Sequence, residues 1–271
     1  MFKKFLFGIL ATIILSNAQE FYVEYQKIEG ELTTKDLYKE NFGRYDGFQL
    51  PLNKGERVHF IVFSEDFSPS LVLVTPNDTK YQQASARGDD FITMGLKVPK
   101  SGEWLLYVLG DSTSEGKYFL QYAFADSASL FLSDEADFCT GLNFILAHSN
   151  AYFIFPQTIP SNRPLHKLEG SIDAFINSDD AAYVALFYEG DDLNDAKGKF
   201  GSVISSMQSC LTNGWKKEEA KSSETMNSVT WSEDAKNNPR VITIMLNDTS
   251  EIENGANYQF KYVVELVVMK Y

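Results

Sequence analysis

The sequence has few of the residues on which most catalytic and metal sites depend. It contains three histidines and two cysteines in 271 residues, and it lacks the H-E-x-x-H and G-x-S-x-G patterns of zinc peptidases and α/β-hydrolases. Basic residues are also outnumbered, 24 against 37 acidic ones, which gives a formal net charge of −13. A chain of this charge does not attract nucleic acid or anionic lipid through its net field, so we expect neither as a partner.

Long apolar segments are scarce too, and the clearest one lies at the N-terminus. Lys3 and Lys4 precede the apolar run Phe5 to Leu15, which leads into Ser-Asn-Ala at residues 16–18. This run is shorter than the roughly 20 residues that cross a bilayer. A positive start and a small-residue end are typical of a secretory signal peptide. We therefore predict that residues 1–18 are removed after Ala18, that the chain has no transmembrane segment, and that the protein is periplasmic or secreted.

The two cysteines, Cys139 and Cys210, form an even set in a chain that we expect to be exported. Oxidising compartments favour disulfides, so we predict that the two residues form a bridge. It would close a loop of about 70 residues and contribute about 4 kcal/mol in the chain-entropy model. The alternative is a pair of buried free thiols on two helices.

Residues 19–126 have the pattern of a β-sandwich. Short runs rich in β-branched and aromatic residues alternate with turn sequences such as Asn53-Lys54-Gly55 and Lys100-Ser101-Gly102, and no helical period separates them. The runs are Val58 to Phe63, Ser70 to Pro76 and Phe91 to Pro99. The sequence Ala125 to Ser129 is small and polar, and we interpret residues 127–131 as a linker.

The remaining segment, residues 132–271, changes to a mixed pattern. Ser133 is a predicted N-cap, with Asp134 and Glu135 in the first turn of a helix. A second helix is predicted from Gly198 to Leu211. The helical apolar positions are Phe138, Leu142, Ile145 and Leu146 in the first helix and Phe200, Val203, Ile204, Met207 and Leu211 in the second.

Strand-like segments fill the rest of residues 132–271. The longest runs from Asn257 to Tyr271, where Tyr258, Phe260, Tyr262, Val264, Leu266 and Val268 alternate on one face, as in a strand that is covered on one side. The element order is α-β-β-α-β-β-β. We therefore predict two domains, a β-sandwich and an α+β domain with two helices on one face of an antiparallel sheet.

The turns and strands of the first half occur in the order of a known family. The segments are Asp46 to Leu50, Leu52 to Val58, Ser64 to Leu73, Pro76 to Asp78, Pro99 to Trp104 and Gly116 to Leu120. This part of the chain, from about Gly30 to Phe124, resembles the bacterial pre-peptidase C-terminal domain. The resemblance implies a jelly-roll-like β-sandwich that serves as an accessory to secreted enzymes or binds extracellular polymers. Ser68 stands where that family often has an Asp.

Two further features bear on the host and on cations. Asp126-Ser127-Ala128 resembles an O-glycosylation site that some Gram-negative bacteria use on exported proteins, so we expect a Gram-negative host. Asp191, Asp192 and Asp195 are close together but lack the ligand spacing of an EF-hand. We interpret them as a solvated loop before a helix, and we predict neither a metal site nor a cofactor.

The histidines are the obvious candidates for catalysis. His59 lies in the middle of a predicted strand, and we interpret it as a structural residue of the sheet. His148 and His166 are the bases that a hydrolase in the second domain would use, although no local pattern positions a nucleophile beside either one. The sequence therefore gives no catalytic residue.

A near-repeat offers the best candidates for ligand contact. Trp104, Leu106 and Val108 are echoed by Tyr118, Leu120 and Tyr122, and each run begins with a glycine turn. We predict two paired strands, with Tyr107 on the face opposite Trp104. Tyr107 and Tyr122 are the predicted ligand contacts.

Three hypotheses for function follow from these observations. The first is an exported, non-catalytic binding or accessory protein of the cell envelope, whose ligand is an extracellular polymer or another envelope protein. The second is a hydrolase with an unrecognised site in the C-terminal domain. The third is a structural or assembly component of the envelope.

Overall fold

The computed structural model describes most of the chain after the predicted signal peptide. It covers residues 20–40, 43–86, 90–133, 135–155, 157–158, 163–164, 166–177, 180–211, 213–218, 226–234, 239–251 and 260–270. The predicted signal peptide and its cleavage after Ala18 lie outside the described residues, as does Asp134.

Nine strands form two facing antiparallel sheets in the first half of the chain. Four strands are ordered β1-β9-β4-β7 and five are ordered β2-β3-β8-β5-β6. Their bounds are β1 (Val23–Leu32), β2 (Leu37–Lys39), β3 (Gly43–Leu52), β4 (Arg57–Phe63), β5 (Ser70–Val74), β6 (Lys80–Ser85), β7 (Phe91–Lys97), β8 (Gly102–Leu109) and β9 (Gly116–Ala125). The predicted β-sandwich is confirmed.

Alternation along each strand builds the core of this sandwich. Every second residue points between the sheets, so that Phe60, Leu71, Trp104 and Leu106 are each fully buried. Burial of such large apolar side chains contributes roughly 1.5–3 kcal/mol each and is the main force that holds the two sheets together. The alternate residues lie on the outer faces, where the candidate site is found.

The prediction that β8 and β9 pair with each other is wrong. β8 pairs with β3 and β5, whereas β9 pairs with β1 and β4. The intervening residues 110–115 therefore cross from one sheet to the other. Trp104 and Leu120 both point into the core, one from each of the two facing sheets.

The second half contains a six-stranded antiparallel sheet with the order β12-β13-β17-β16-β15-β14. The elements are α1 (Phe138–Ser149), β10 (Gln157–Thr158), β11 (Arg163–Pro164), β12 (Asp173–Asn177), β13 (Ala182–Gly190), α2 (Leu193–Cys210), β14 (Trp215–Glu218), β15 (Met226–Glu233), β16 (Arg240–Asp248) and β17 (Tyr262–Lys270). Both helices pack into one hydrophobic cluster against one face of this sheet, as predicted. The structure adds β14 and the short β10–β11 ribbon to the predicted order.

Both helices begin at residues other than those predicted. The N-cap of α1 is Asp137, whose carboxylate accepts from the backbone N–H of Thr140 at 2.7 Å, so Ser133 does not cap this helix. The N-cap of α2 is Asp192, which accepts from Asn194 and Asp195. Asp191 and Asp192 are exposed and lie before α2, as predicted, whereas Asp195 lies in its first turn. The carboxylate of Asp192 satisfies free N–H groups at the helix start.

The predicted disulfide joins the two helices. Cys139 and Cys210 are bridged, with 5.0 Å between their Cα atoms. The apolar residues predicted for the two helices lie at the sheet: Leu142, Ile145, Val203 and Met207 are buried there.

A smaller hydrophobic cluster lies between the two halves. Ala123 and Ala125 of β9 pack with Leu130, Ala151 and Phe155. Residues 127–131, predicted as a linker, include a short 3-10 helix at Ala128–Leu130 whose last two residues are buried. The domain boundaries at residues 126 and 132 remain a prediction.

Candidate functional site

The outer face of the four-stranded sheet carries the residues of the candidate site. Val58, Phe60 and Val62 of β4 are buried in the sandwich, so Arg57, His59 and Ile61 must point to the opposite face. The strand register places Tyr25, Ala123, His59 and Gly95 side by side across β1, β9, β4 and β7. A row of side chains thus crosses the sheet at His59.

Small residues on both sides of His59 leave a depression in this face. Ala123 is its neighbour on β9 and Gly95 is its neighbour on β7. A Cβ atom added to Gly95 would lie 3.2 Å from Cδ2 of His59. The imidazole is therefore packed closely against the glycine backbone, and any larger residue at 95 would crowd it.

The turn after α1 forms the wall of this depression. Carbonyls at the end of α1 accept from the N–H groups of residues 150–153, and Tyr152 and Phe153 have φ values of 50° and 57°. The left-handed region is costly for residues with a Cβ, at roughly 1–2 kcal/mol each. Phe153 is fully buried and Phe155 nearly so. This burial fixes the turn, so that Tyr152 and Ile154 face the sheet.

Two adjoining cavities of about 380 and 360 Å³ lie between the turn and the sheet. His59 and Ile154 line both of them. We call the combined space the His59 groove. Its other lining residues are Tyr25, Ile61, Gln121, Ala123, Ala151 and Tyr152 in the first cavity and Arg57, Val58, Gly95, Leu96, Lys97 and Phe155 in the second.

The centre of the His59 groove is uncharged. Burial lowers the pKa of His59 below its ordinary value, so the imidazole is neutral at pH 7. Burial also raises the pKa of Tyr25, and the nearby phenol of Tyr152 raises it further. The rings of Tyr25 and Tyr152 meet edge to face, with 5.2 Å between their centroids.

These properties suit binding better than bond cleavage. Two phenols, one imidazole and the amide of Gln121 offer hydrogen bonds around an otherwise apolar surface. Among the described residues that line the groove there is no serine, cysteine or carboxylate that His59 would activate.

Tyr107 lies on the other sheet of the sandwich, far from His59 in the strand order. It points outward from β8, opposite to Trp104, as predicted. Its ring meets that of Tyr45 edge to face at 5.3 Å, and both rings pack on Val72 and Leu109, which are 1% and 4% exposed. This face covers its own apolar residues, and Tyr107 remains an untested ligand contact.

Tyr122 points inward from β9 toward the sandwich core. It packs partly against that core, at 6.4 Å from the ring of Phe60. Burial and the carboxylate of Glu24 raise its pKa. The two predicted contacts, Tyr107 and Tyr122, therefore lie on different sheets and do not form one site.

His148 and His166 both contact the ring of Phe144 in the second half. Their ring centroids are 4.4 and 5.2 Å from that of Phe144. Nε2 of His148 is 2.7 Å from the carbonyl oxygen of Ser129, and Nδ1 has no hydrogen-bond partner in the described part of the chain. Burial lowers the pKa of His148 to about 4.

A polar cavity of about 340 Å³ lies next to His166. It is lined by Leu132, Ser133, Glu135, Ala136, His166, Lys167 and Glu169. Nε2 of His166 accepts from the N–H of Leu132, and the carboxylate of Glu169 accepts from the N–H of Phe138. Both groups therefore accept hydrogen bonds from backbone N–H groups at the entry into α1.

Within the described ranges, no three His, Cys, Asp or Glu side chains are grouped so as to hold a metal ion. No helix in those ranges has the length and apolar character needed to cross a bilayer.

No family model and no curated protein matches this chain. Among solved structures, the periplasmic inhibitor of g-type lysozyme PliG from Aeromonas hydrophila is similar over 38% of this chain and 87% of its own, with 13% identity and a TM-score of 0.29. PliG from Salmonella Typhimurium is similar over 37% of this chain and 91% of its own, with 16% identity and a TM-score of 0.26. The Bacillus licheniformis lipase BlEst2 in propeptide form is similar over 92% of this chain and 40% of its own, with 11% identity and a TM-score of 0.26. Similarities at these scores do not bear on function.

Sequence reasoning missed most of the His59 groove. The sequence predicts a structural role for His59 and carries no pattern that marks Tyr25, Tyr152 or Ile154. They come from three distant parts of the chain, and their approach depends on the packing of α1 beside β9. The one local signal is the alternation of β4, which places His59 and Ile61 outside a buried strand.

Proposed function

We propose that this protein is an exported, non-catalytic binding protein of the cell envelope and that the His59 groove holds its ligand. The observation that carries the proposal is a concave surface with an apolar floor, a tyrosine wall and a few polar groups. Partly apolar grooves with aromatic walls bind ligands by burying their apolar groups, while a few hydrogen bonds set the orientation.

Three other features support export and an accessory role. The N-terminal sequence has the pattern from which we predict a signal peptide, and the Cys139–Cys210 bridge is typical of oxidising compartments. The resemblance of residues 30–124 to the pre-peptidase C-terminal domain supports an accessory protein that binds an extracellular polymer or another envelope protein.

The proposal is tested by removing the wall of the groove. Wild-type protein, a Tyr25→Ala/Ile154→Ala variant and a Tyr38→Ala control are applied to arrays of extended peptides and bacterial glycans. Tyr38 is 57% exposed on β2 of the other sheet, so its loss removes a similar ring elsewhere. We expect the groove variant to lose the wild-type signals and the control to keep them.

Two results would contradict the proposal. One is an unchanged binding pattern in the groove variant, provided that its melting curve is also unchanged. The other is turnover in a broad hydrolase screen that disappears in His148→Gln or His166→Gln, which would favour the hydrolase. A protein that binds no array member but copurifies with envelope assemblies would favour the structural component.

A further inference from the structure

Two positive charges lie side by side at one end of the His59 groove. Arg57 of β4 and Lys97 of β7 are direct cross-strand partners on the outer face, and both line the second cavity. Like charges directly opposite each other on neighbouring strands are destabilising. The arrangement therefore has a cost in the free protein that a bound anion would remove.

Neither cation is neutralised within the described part of the chain. Its four ion pairs involve other residues, and neither Arg57 nor Lys97 takes part in a side-chain hydrogen bond there. The chain carries 37 acidic residues, so carboxylates are abundant, yet none in the described ranges pairs with these two side chains.

Edge protection explains only half of this pair. Lys97 lies on β7, an edge strand of its sheet, where lysine commonly prevents pairing with other chains. Arg57 lies on β4, which is hydrogen-bonded on both sides by β9 and β7, so the same explanation does not apply to it. An arginine there is suited to bidentate recognition of a carboxylate.

The spacing along β4 defines the shape of a fitting ligand. Ile61, His59 and Arg57 point outward at two-residue intervals, which is about 7 Å per step on a strand. They present, in that order, an aliphatic surface, a neutral aromatic ring and a cation. An extended polypeptide displays its side chains on one face at the same interval, so it matches all three positions at once.

Apolar side chains continue along the outer face beyond Ile61, outside the two cavities. Phe63 follows on β4, with Phe119 and Phe91 beside it across the sheet. Phe91 is 57% exposed, and the amine of Lys27 lies 4.2 Å from the ring centroid of Phe119. Along β4 itself, the outward side chains change from apolar to cationic. This order fits a segment that carries apolar residues and then an acidic one.

We propose that the groove binds an extended acidic polypeptide segment, in which an apolar side chain lies over His59 and a carboxylate two residues away pairs with Arg57 and Lys97. This inference rests on the proposed function and specifies the ligand of the same groove. The partner is thus an acidic protein segment, in preference to an uncharged polymer.

The test uses three acetylated and amidated pentapeptides whose binding is measured by NMR titration of the protein at low salt. The first reads Ile-Thr-Phe-Thr-Glu, which aligns its side chains with Ile61, His59 and Arg57. The second replaces Glu by Gln. The third, Ile-Thr-Phe-Glu-Thr, keeps the charge but moves it to the opposite face of an extended chain. We expect the first peptide to bind about fivefold or more tightly than either of the others.

Removing either positive charge from the protein should also weaken binding of the first peptide. Arg57→Gln and Lys97→Gln each weaken the first peptide, Arg57→Gln by about fivefold and Lys97→Gln by less, while the Gln peptide is unaffected. Lys39→Gln is the control, since Lys39 is an exposed lysine on an edge strand of the other sheet. Added salt removes the advantage of the first peptide.

The outcomes separate this inference from the proposed function. Equal binding of all three peptides, abolished by Tyr25→Ala/Ile154→Ala, would overturn the acidic ligand and leave the groove as the binding site. Binding of an acidic oligosaccharide but of no peptide would overturn the polypeptide. Self-association that requires Arg57 would make a second copy of this acidic chain the occupant. Absence of binding to any of the three peptides at millimolar concentration would also overturn the inference.

Discussion

The two outer faces of the β-sandwich carry similar residues, but the side chains pack differently on each face. On the five-stranded sheet, Tyr107 and Tyr45 lie over Val72 and Leu109 and leave them almost inaccessible. On the four-stranded sheet, Ala123 and Gly95 are too small to cover His59, and the turn after α1 stands over the gap. The difference teaches that aromatic content alone does not indicate a binding face. What matters is whether the aromatic side chains cover their own neighbours.

The largest expected effect concerns the half of the molecule that supplies the wall of the groove. A Cys139→Ser/Cys210→Ser variant loses a crosslink between residues 71 apart, and the chain-entropy model predicts a loss of about 4 kcal/mol in the free energy of unfolding. Urea unfolding measures the loss. Hydrogen exchange should rise at α1 and at residues 151–155 more than at β3 and β8.

Thiol alkylation provides a control for this prediction, and two results would contradict it. The exported wild-type protein should show no alkylatable thiol in mass spectrometry until a reductant is added. Two alkylatable thiols in the native exported protein, or equal exchange on both faces of the variant, would contradict this account.

The second expected effect is a pH dependence of the free energy of unfolding, which comes from His148 near the wall of the groove. His148 has a folded pKa of about 4, lowered mainly by burial and also by His166, against about 6.5 in an unfolded chain. The unfolded state therefore binds more protons between these values. Stability from this group is fully present above pH 6.5 and falls by roughly 3 kcal/mol as the pH drops to 4.

A variant isolates this contribution from that of the carboxylates. His148→Gln keeps a donor for the carbonyl of Ser129 but removes the titration. Urea unfolding at several pH values should give a flatter curve for the variant between pH 6.5 and 5 than for the wild type. Parallel curves would mean that His148 does not contribute to the pH dependence.

The third expected effect concerns the outer face of the five-stranded sheet, where Tyr107 covers neighbouring apolar residues. Tyr107→Ala exposes Val72 and Leu109, and we expect a loss of about 1–2 kcal/mol in stability with unchanged binding at the groove. If Tyr107 is instead a ligand contact, as the sequence predicts, the same variant should lose binding with an unchanged melting temperature. Thermal unfolding and peptide binding of this one variant decide between the two.

The smallest effect comes from a matched pair of glycines, one on each face. A Cβ at Gly47 would lie 3.1 Å from the ring of Tyr107, and a Cβ at Gly95 would lie 3.2 Å from the ring of His59. Alanine at either position should change stability little, because the strain of crowding is offset by a less flexible unfolded chain.

The binding results of the two glycine variants should differ. Gly95→Ala narrows the groove and should weaken peptide binding by about fivefold, or roughly 1 kcal/mol. Gly47→Ala should leave binding unchanged. Equal effects of the two changes would mean that the ligand does not occupy the space beside His59.

Local patterns in the sequence were sufficient for much of the fold. Strand alternation predicted that Tyr107 and Trp104 lie on opposite faces of β8, because side chains on a strand alternate with a period of two. The helical stripes placed Cys139 and Cys210 on neighbouring helices, and the even cysteine count completed the disulfide.

The pairing of the strands and the groove depended on long-range contacts that no local pattern records. β8 and β9 are close in sequence, which suggested a hairpin, but residues 110–115 connect opposite sheets. Capping was also misjudged, since Ser133 and Asp137 are both good N-caps and only the packing of α1 selects Asp137. The approach of Tyr152 to Tyr25 requires two adjacent residues in the left-handed region, which their sequence does not suggest.

The most direct test of the central claim uses the three histidines as reporters. Their imidazole Hε1 signals are resolved by NMR and assigned with single His→Gln variants, and the acidic pentapeptide is then titrated into the wild-type protein. We predict that the signal of His59 shifts with saturation while those of His148 and His166 stay in place. A titration in which the peptide binds but the His59 signal does not move would contradict the assignment of the groove as the binding site.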